Sequence, residues 1–274
     1  MSAEPAGGGR TLDPRLLVAL AVVVAAWIVL TRPWLSGTFA VPWDAEAHFR
    51  PQMVFLAHAL QAGDSPAWNP NVFAGWPQIA DPQSLIFAPA FLVLALFVAE
   101  PGSVALDATV FAQLGIGALA LFAWFRDKGR HPGAAVVAAI AFAFGGSAAW
   151  RIQHTGQVLS YALVPVALLL VERMIVRRSI GWGFAAGLGA GCLALGRDQI
   201  ALLGLYFLVA YALTEIFAPA DRWARLKGTI VPGLAGVVGG LLVVTVPVTM
   251  TLLLSAESNR PTIDFIGAGK GSLP

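Results

Sequence analysis

Four carboxylates crowd one stretch of this chain: Asp44, Glu46, Asp64 and Asp81 all fall between residues 44 and 81. A carboxylate held just outside a hydrocarbon layer can take a proton from an incoming hydroxyl as a general base, or hold a divalent cation. Solvated acids are the ordinary state of Asp and Glu, so position has to single out any one of them. Asp44 begins a helical pattern directly after "VPW", and Asp81 opens "ADPQS" before a second apolar run. Both places also suit a simple N-cap, whereas Asp64 in "GDSP" reads as a turn residue. Further along, His154 in "WRIQH" could orient a phosphate or a sugar hydroxyl, and Arg197 in "GRDQ" could pair with a lipid phosphate or be neutralised by Asp198.

The elements that must position these groups are membrane spans. The 274-residue chain is 58% hydrophobic and only 12% charged, against roughly 45–50% and ~25% in soluble domains. Apolar runs near the ~20 residues that cross a ~30 Å hydrocarbon core recur at 14–31, 104–125, 133–150, 157–176, 180–196, 199–218 and 229–253. The run at 14–31 lacks a close cleavage site and reads as a retained first span. A net charge of +2, with the basic residues in loops, is a topology signal and does not imply nucleic acid. The single cysteine, Cys192, excludes an internal disulfide and a thiolate zinc cluster.

An eighth apolar run, 84–99, is short and carries Pro89. Charge asymmetry decides how it is read, because Lys and Arg near span ends concentrate on the cytoplasmic side. With the N-terminus inside and 84–99 not crossing, eleven of the 17 basic residues lie inside and six outside; if 84–99 crosses, the bias reverses. The expected layout is therefore a cytoplasmic segment 1–13, a first span 14–31, an extracytoplasmic loop 32–103, further spans over 104–253 and an extracytoplasmic segment 254–274. Interfacial helices are expected near 44–62 and 84–99.

Within the loop, Phe49, Met53, Leu56 and Leu60 form an apolar stripe of helical period that would lie along the membrane surface. The following "GDSPAWNPNVFAGWPQIADPQ" is too rich in Pro, Gly and Asn for regular structure and must be a shaped loop. Trp34, Trp43, Trp68 and Trp76 bracket it, as interface anchoring or carbohydrate stacking would both require. Asp107, near the outer end of a span, either has a partner or a water-filled cavity or snorkels to the surface. His48 and His58 ride on the amphipathic helix with no role of their own. The glycines of "GLGAGCLALG" and "GLAGVVGG" suit close helix packing.

Asp44, the "GDSPAWNPNVFAGWPQIADPQ" stretch, Pro89, His154 and the "GRDQ" turn at 196–199 together resemble the YfhO-like bacterial membrane proteins of the GT-C superfamily of polyprenyl-phosphate-dependent glycosyltransferases. The resemblance runs over essentially the whole chain and is most specific over 44–89. It implies an all-α polytopic fold, a GT-C-like module of seven transmembrane helices with two juxtamembrane helices in the first external loop. Family members usually continue into further spans and an external domain, so this chain reads as an N-terminal module.

The activity implied is transfer of a sugar from a polyprenyl-phosphate donor to an extracytoplasmic acceptor at a bacterial cytoplasmic membrane. Asp44 and Asp81 are the expected catalytic carboxylates. Glu46, Trp68, Asn69, Trp76, Gln83, His154, Arg197 and Gln199 are the expected substrate-binding set. If a divalent metal ion such as Mg²⁺ or Mn²⁺ takes part, Asp44 is the residue to hold it. Where relatives often show His-Pro-Gln, this chain has Arg197-Asp198-Gln199, a departure that weakens transfer of roles at 197 and 198. A transporter or flippase without covalent chemistry, and an assembly protein whose loop binds a partner, are the competing functions.

Overall fold

A computed structural model describes residues 13–257. The expected terminal segments 1–13 and 254–274 lie largely outside the described residues; residues 254–257 continue the last helix. The protein is an all-α, multi-pass membrane protein, with six stretches of helix long and apolar enough to cross a bilayer and no strand among the described residues.

In chain order the helices are α1 (Pro14–Leu35), α2 (Arg50–Ala62), α3 (Pro89–Phe97), α4 (Ser103–Asp127), α5 (Pro132–Phe144), α6 (Gly146–Arg151), α7 (Thr155–Arg177), α8 (Ile180–Ala194), α9 (Gln199–Phe217) and α10 (Arg222–Glu257). A π-helical turn, Ala45–Phe49, leads into α2. Local chemistry sets many of these ends. Asp13 accepts from Arg15 N ahead of Pro14, and Asp198 accepts from Ala201 N, each meeting an orphan donor of the helix it caps. Gly145, with φ −70° and ψ 169°, breaks the span 132–151 into α5 and α6.

Between 84 and 99, helix forms only over the nine residues Pro89–Phe97, about 13 Å at ~1.5 Å per residue. Leu85 adopts a left-handed φ of 55°, and Pro89 then occupies the first turn, its favoured place. Asp81 thus lies in turns ahead of this helix, not at its start. The stripe expected to meet the membrane surface is instead covered by protein. Phe49, Met53 and Leu56 are buried with Phe91 and Ala95 of α3, Leu106 of α4 and Leu159 of α7, and Leu60 packs at their edge. That cluster fastens the whole segment 41–95 onto one end of the helical bundle.

α8 is fifteen residues long and packs along α10 through glycines. A Cβ built on Gly183 would sit 2.0 Å from the Pro232 carbonyl oxygen, and one on Gly187 would sit 1.8 Å from that of Gly236. Only glycine permits backbones this close, the small-residue mode of association in lipid. The opposite end of the bundle is pinned by charge. Lys128 reaches Glu215 at 2.8 Å and Glu172 at 3.0 Å, Tyr211 donates to Glu172, and Arg173 pairs with Asp127 at 2.7 Å. These contacts join the ends of α4, α7 and α9.

Candidate functional site

At the end of the bundle that carries the long loop, a cavity of about 460 Å³ opens among Asp44, His48, Gln83, His154, Gln157, Arg197, Asp198 and Gln199, with Phe49, Pro82, Leu85, Gly156 and Gly196 completing its wall. Four separate pieces of chain build it: the π-helical turn, the turns around 82–85, the start of α7 and the link between α8 and α9. Three backbone positions at or beside it hold left-handed φ on non-glycine residues: Trp43 at 61°, Leu85 at 55° and Arg197 at 49°. Such conformations persist only where the surroundings enforce them, and they gather at functional sites.

Asp44 stands where an N-cap would, yet its side chain makes no capping bond. Its Oδ2 lies 2.8 Å from Nδ1 of His154, which ends the link into α7, 110 residues away in sequence. An ionised carboxylate on Nδ1 holds the proton there and leaves Nε2 as the acceptor, the arrangement by which a carboxylate orients an imidazole as a base. Both groups are partly open to the cavity, with side-chain exposures of 53% for Asp44 and 35% for His154.

Arg197 supplies positive charge. Its guanidinium donates to the carbonyls of Pro247 (3.2 Å) and Asp81 (3.1 Å) and to the hydroxyl of Thr251 (2.5 Å), while Nε is buried with no partner among the described residues. Burial lowers its pKa, opposed by the charge of nearby Asp81; arginine stays protonated at neutral pH all the same. Asp198 does not neutralise it. One oxygen of Asp198 accepts from Ser160 at 2.7 Å and the other caps α9 at Ala201 N at 2.8 Å. Gly196 makes room for this: a Cβ there would lie 2.0 Å from Ser160 Oγ.

The structure divides the expected residues into two groups. Asp44, Gln83, His154, Arg197 and Gln199 line the cavity. Glu46, Trp68, Asn69, Trp76 and the carboxylate of Asp81 do not. Asp81 is buried, accepting from Trp76 Nε1 at 3.0 Å and from Gln83 N at 2.9 Å, and it meets Arg197 through its carbonyl. There it shapes the loop, and its carboxylate does not line the cavity. Asn69 and Trp76 exchange backbone hydrogen bonds of 2.8 Å in a short antiparallel bridge, and Trp68 packs over Gly75. Glu46 pairs with Arg50 at 2.7 Å.

His48, Gln157 and Asp198 reach the cavity without having been expected there. His48 follows Asp44 by four residues, a spacing that puts both on one side of a helical turn. Asp107 did not snorkel. It is buried, with Oδ2 accepting from Val41 N at 3.1 Å and Oδ1 lacking a partner among the described residues.

No group of three or more His, Cys, Asp or Glu side chains among the described residues is arranged to hold a metal ion. Asp44 already faces His154, so the residues present do not fit a resident divalent ion. No protein-family model matches the chain, and neither a curated protein nor a solved structure matches it.

Proposed function

We propose that the protein is a membrane glycosyltransferase that moves a sugar from a polyprenyl-phosphate donor to a hydroxyl acceptor. One observation carries this reading: a carboxylate–imidazole pair, Asp44 and His154, and an arginine, Arg197, whose guanidinium bonds only carbonyls and a hydroxyl among the described residues, face a single cavity at one end of a membrane bundle. In this reading His154 Nε2 takes the acceptor's proton while Asp44 stabilises the imidazolium. The acceptor oxygen attacks the anomeric carbon, the bond from that carbon to the phosphate oxygen breaks, and configuration inverts. The departing polyprenyl phosphate carries away the electron pair, and Arg197 stabilises its charge. Gln83, Gln157 and Gln199 supply hydrogen bonds to sugar hydroxyls.

The same proposal fixes the topology. α8, though short, is the fifth of seven crossings, the N-terminus lies in the cytoplasm, and the cavity faces outward from a bacterial cytoplasmic membrane. The support is the skew of Lys and Arg toward the far end, where Arg126, Lys128, Arg130, Arg173, Arg177 and Arg178 cluster at the ends of α4 and α7. Lipid would then approach Arg197 from the side, along the apolar groove of Ala194, Ala201, Leu202 and Leu205 that shares Arg197, Asp198 and Gln199 with the cavity.

The test is transfer of radiolabelled sugar from polyprenyl-phosphate donors to membrane acceptors, comparing wild type with Asp44→Asn. Transfer by wild type, lost in the variant, supports the reading. Equal transfer by both removes Asp44 from the chemistry, and no transfer from any donor by folded protein overturns the enzyme.

A further inference from the structure

A second hollow, of about 400 Å³, lies on the flank of the bundle beside the cavity, among Ser147, Trp150, Arg151, Val158, Tyr161 and Ile200. It is not the groove proposed for the donor lipid. That groove holds Leu202 and this one Ile200, and at ~100° per residue two positions along α9 face nearly opposite ways. The break at Gly145 opens the hollow: α6 starts anew after it, and a Cβ added to Gly146 would meet nothing within 4 Å. Its floor is fixed, because the Tyr161 hydroxyl donates to the Phe142 carbonyl at 3.0 Å and the two rings stack at 4.4 Å.

The chemistry of the hollow is that of a membrane interface. Its walls are mostly apolar, Trp150 is 83% exposed and Arg151 is exposed beside it. Tryptophan gathers at headgroup level because its ring is apolar and its N–H polar. Arg151 spends one donor within the protein, Nη1 reaching Gln157 Oε1 at 3.0 Å, and no carboxylate pairs with it among the described residues. A guanidinium carries five N–H groups in a planar fork, so donors remain for an anion. A cation with unused donors, a tryptophan suited to headgroup depth and an apolar hollow behind them match one class of ligand, a phosphate carried above a hydrocarbon chain.

We propose that this groove binds an anionic phospholipid of the bilayer, with its phosphate on Arg151 and an acyl chain against Tyr161 and Ile200. The site adjoins the cavity without belonging to it. Gln157 stands in both walls, and the Arg151 carbonyl accepts from His154 N at 2.8 Å, so a headgroup here lies one side chain away from the carboxylate–imidazole pair. The inference needs nothing of sugar transfer, since the ligand is read from Arg151, Trp150 and the hollow alone.

Quenching of tryptophan emission by brominated lipids tests this, the Trp150 share being the difference between protein with and without Trp150→Phe. In detergent solution, brominated phosphatidylglycerol should half-quench Trp150 at about one fifth of the concentration that brominated phosphatidylcholine requires, the worth of one basic side chain at an anionic headgroup. Arg151→Gln should abolish that preference, and Arg151→Lys should keep most of it. Gly146→Leu, which fills the hollow and leaves the charge, should weaken the quench by both lipids. Inorganic phosphate, an anion without a chain, should not relieve it. Equal half-quench by the two lipids in wild type overturns the proposal, as does an undiminished preference in Arg151→Gln. Relief by inorganic phosphate assigns Arg151 to a soluble anion and overturns the lipid. Arg151 is exposed, so Arg151→Gln should melt near wild type; Gly146→Leu reads the same site by a separate route, and an unchanged quench there also overturns the proposal.

Discussion

Thr251, six residues before the end of α10, accepts from Arg197 at 2.5 Å and donates to the Ala80 carbonyl at 2.8 Å, so one hydroxyl joins the cavity's cation to the loop beneath it. Replacing it by Val keeps the shape and removes both bonds, at about 1 kcal/mol each. Thr251→Val should raise KM for the lipid donor roughly tenfold, while Thr251→Ser stays near wild type. Steady-state kinetics of the two variants separate the bond from the shape.

The pairing of Asp44 with His154 predicts non-additivity. Groups that act as a unit lose most of their joint effect when either is removed. Asp44→Asn and His154→Ala should each lower kcat by about 10²–10⁴-fold, and the double variant should be little worse than the weaker single one. Multiplying losses would show that the two residues act separately.

At the far end, Lys128 is the hub of the α4–α7–α9 junction. Burial works against its charge, but hydrogen bonds to Glu215, Tyr211 and Glu172 outweigh that, and its pKa is held above the ordinary lysine value. The stabilisation this brings is fully present below the ordinary value and fades only as pH climbs through the raised one. Thermal unfolding in detergent should therefore show a Lys128 contribution that is flat from neutral to mildly alkaline pH. Lys128→Met should cost about 3–5 kcal/mol, because Glu172 is left buried without its partner.

Asp107 fixes the approach to Asp44 by accepting from Val41 N. Asp107→Asn keeps an acceptor for that amide and should fold and work nearly as wild type. Asp107→Leu leaves a buried N–H unpaired, a loss of about 1–3 kcal/mol. Loss of transfer in Leu with retention in Asn, alongside melting temperatures for both, would separate the hydrogen bond from the charge.

Much of the helical layout could be read in the sequence because hydropathy and length are local quantities. The apolar runs fall on α1, α4, α5 with α6, α7, α8, α9 and α10. Asp44, His154 and Arg197 each stood out for their chemistry, but nothing local shows that an acid at 44 and an imidazole at 154 touch. The same limit hid the bonds of Asp81, Asn69 and Trp76 within the loop, which are set by tertiary geometry. His48 was passed over as one more polar residue on a helix. Its place on the cavity wall depends on turns more than thirty residues away, Pro82, Gln83 and Leu85, and spacing along the helix carries no trace of them.

The glycine seam between α8 and α10 has a mechanical consequence. α10 is a 36-residue rod closely seated along α8, and near one end it grips Arg197 through Thr251 and the Pro247 carbonyl. A side chain placed at Gly183 or Gly187 would therefore lever α10 off α8 and carry the carbonyl and hydroxyl that hold the Arg197 guanidinium away with it.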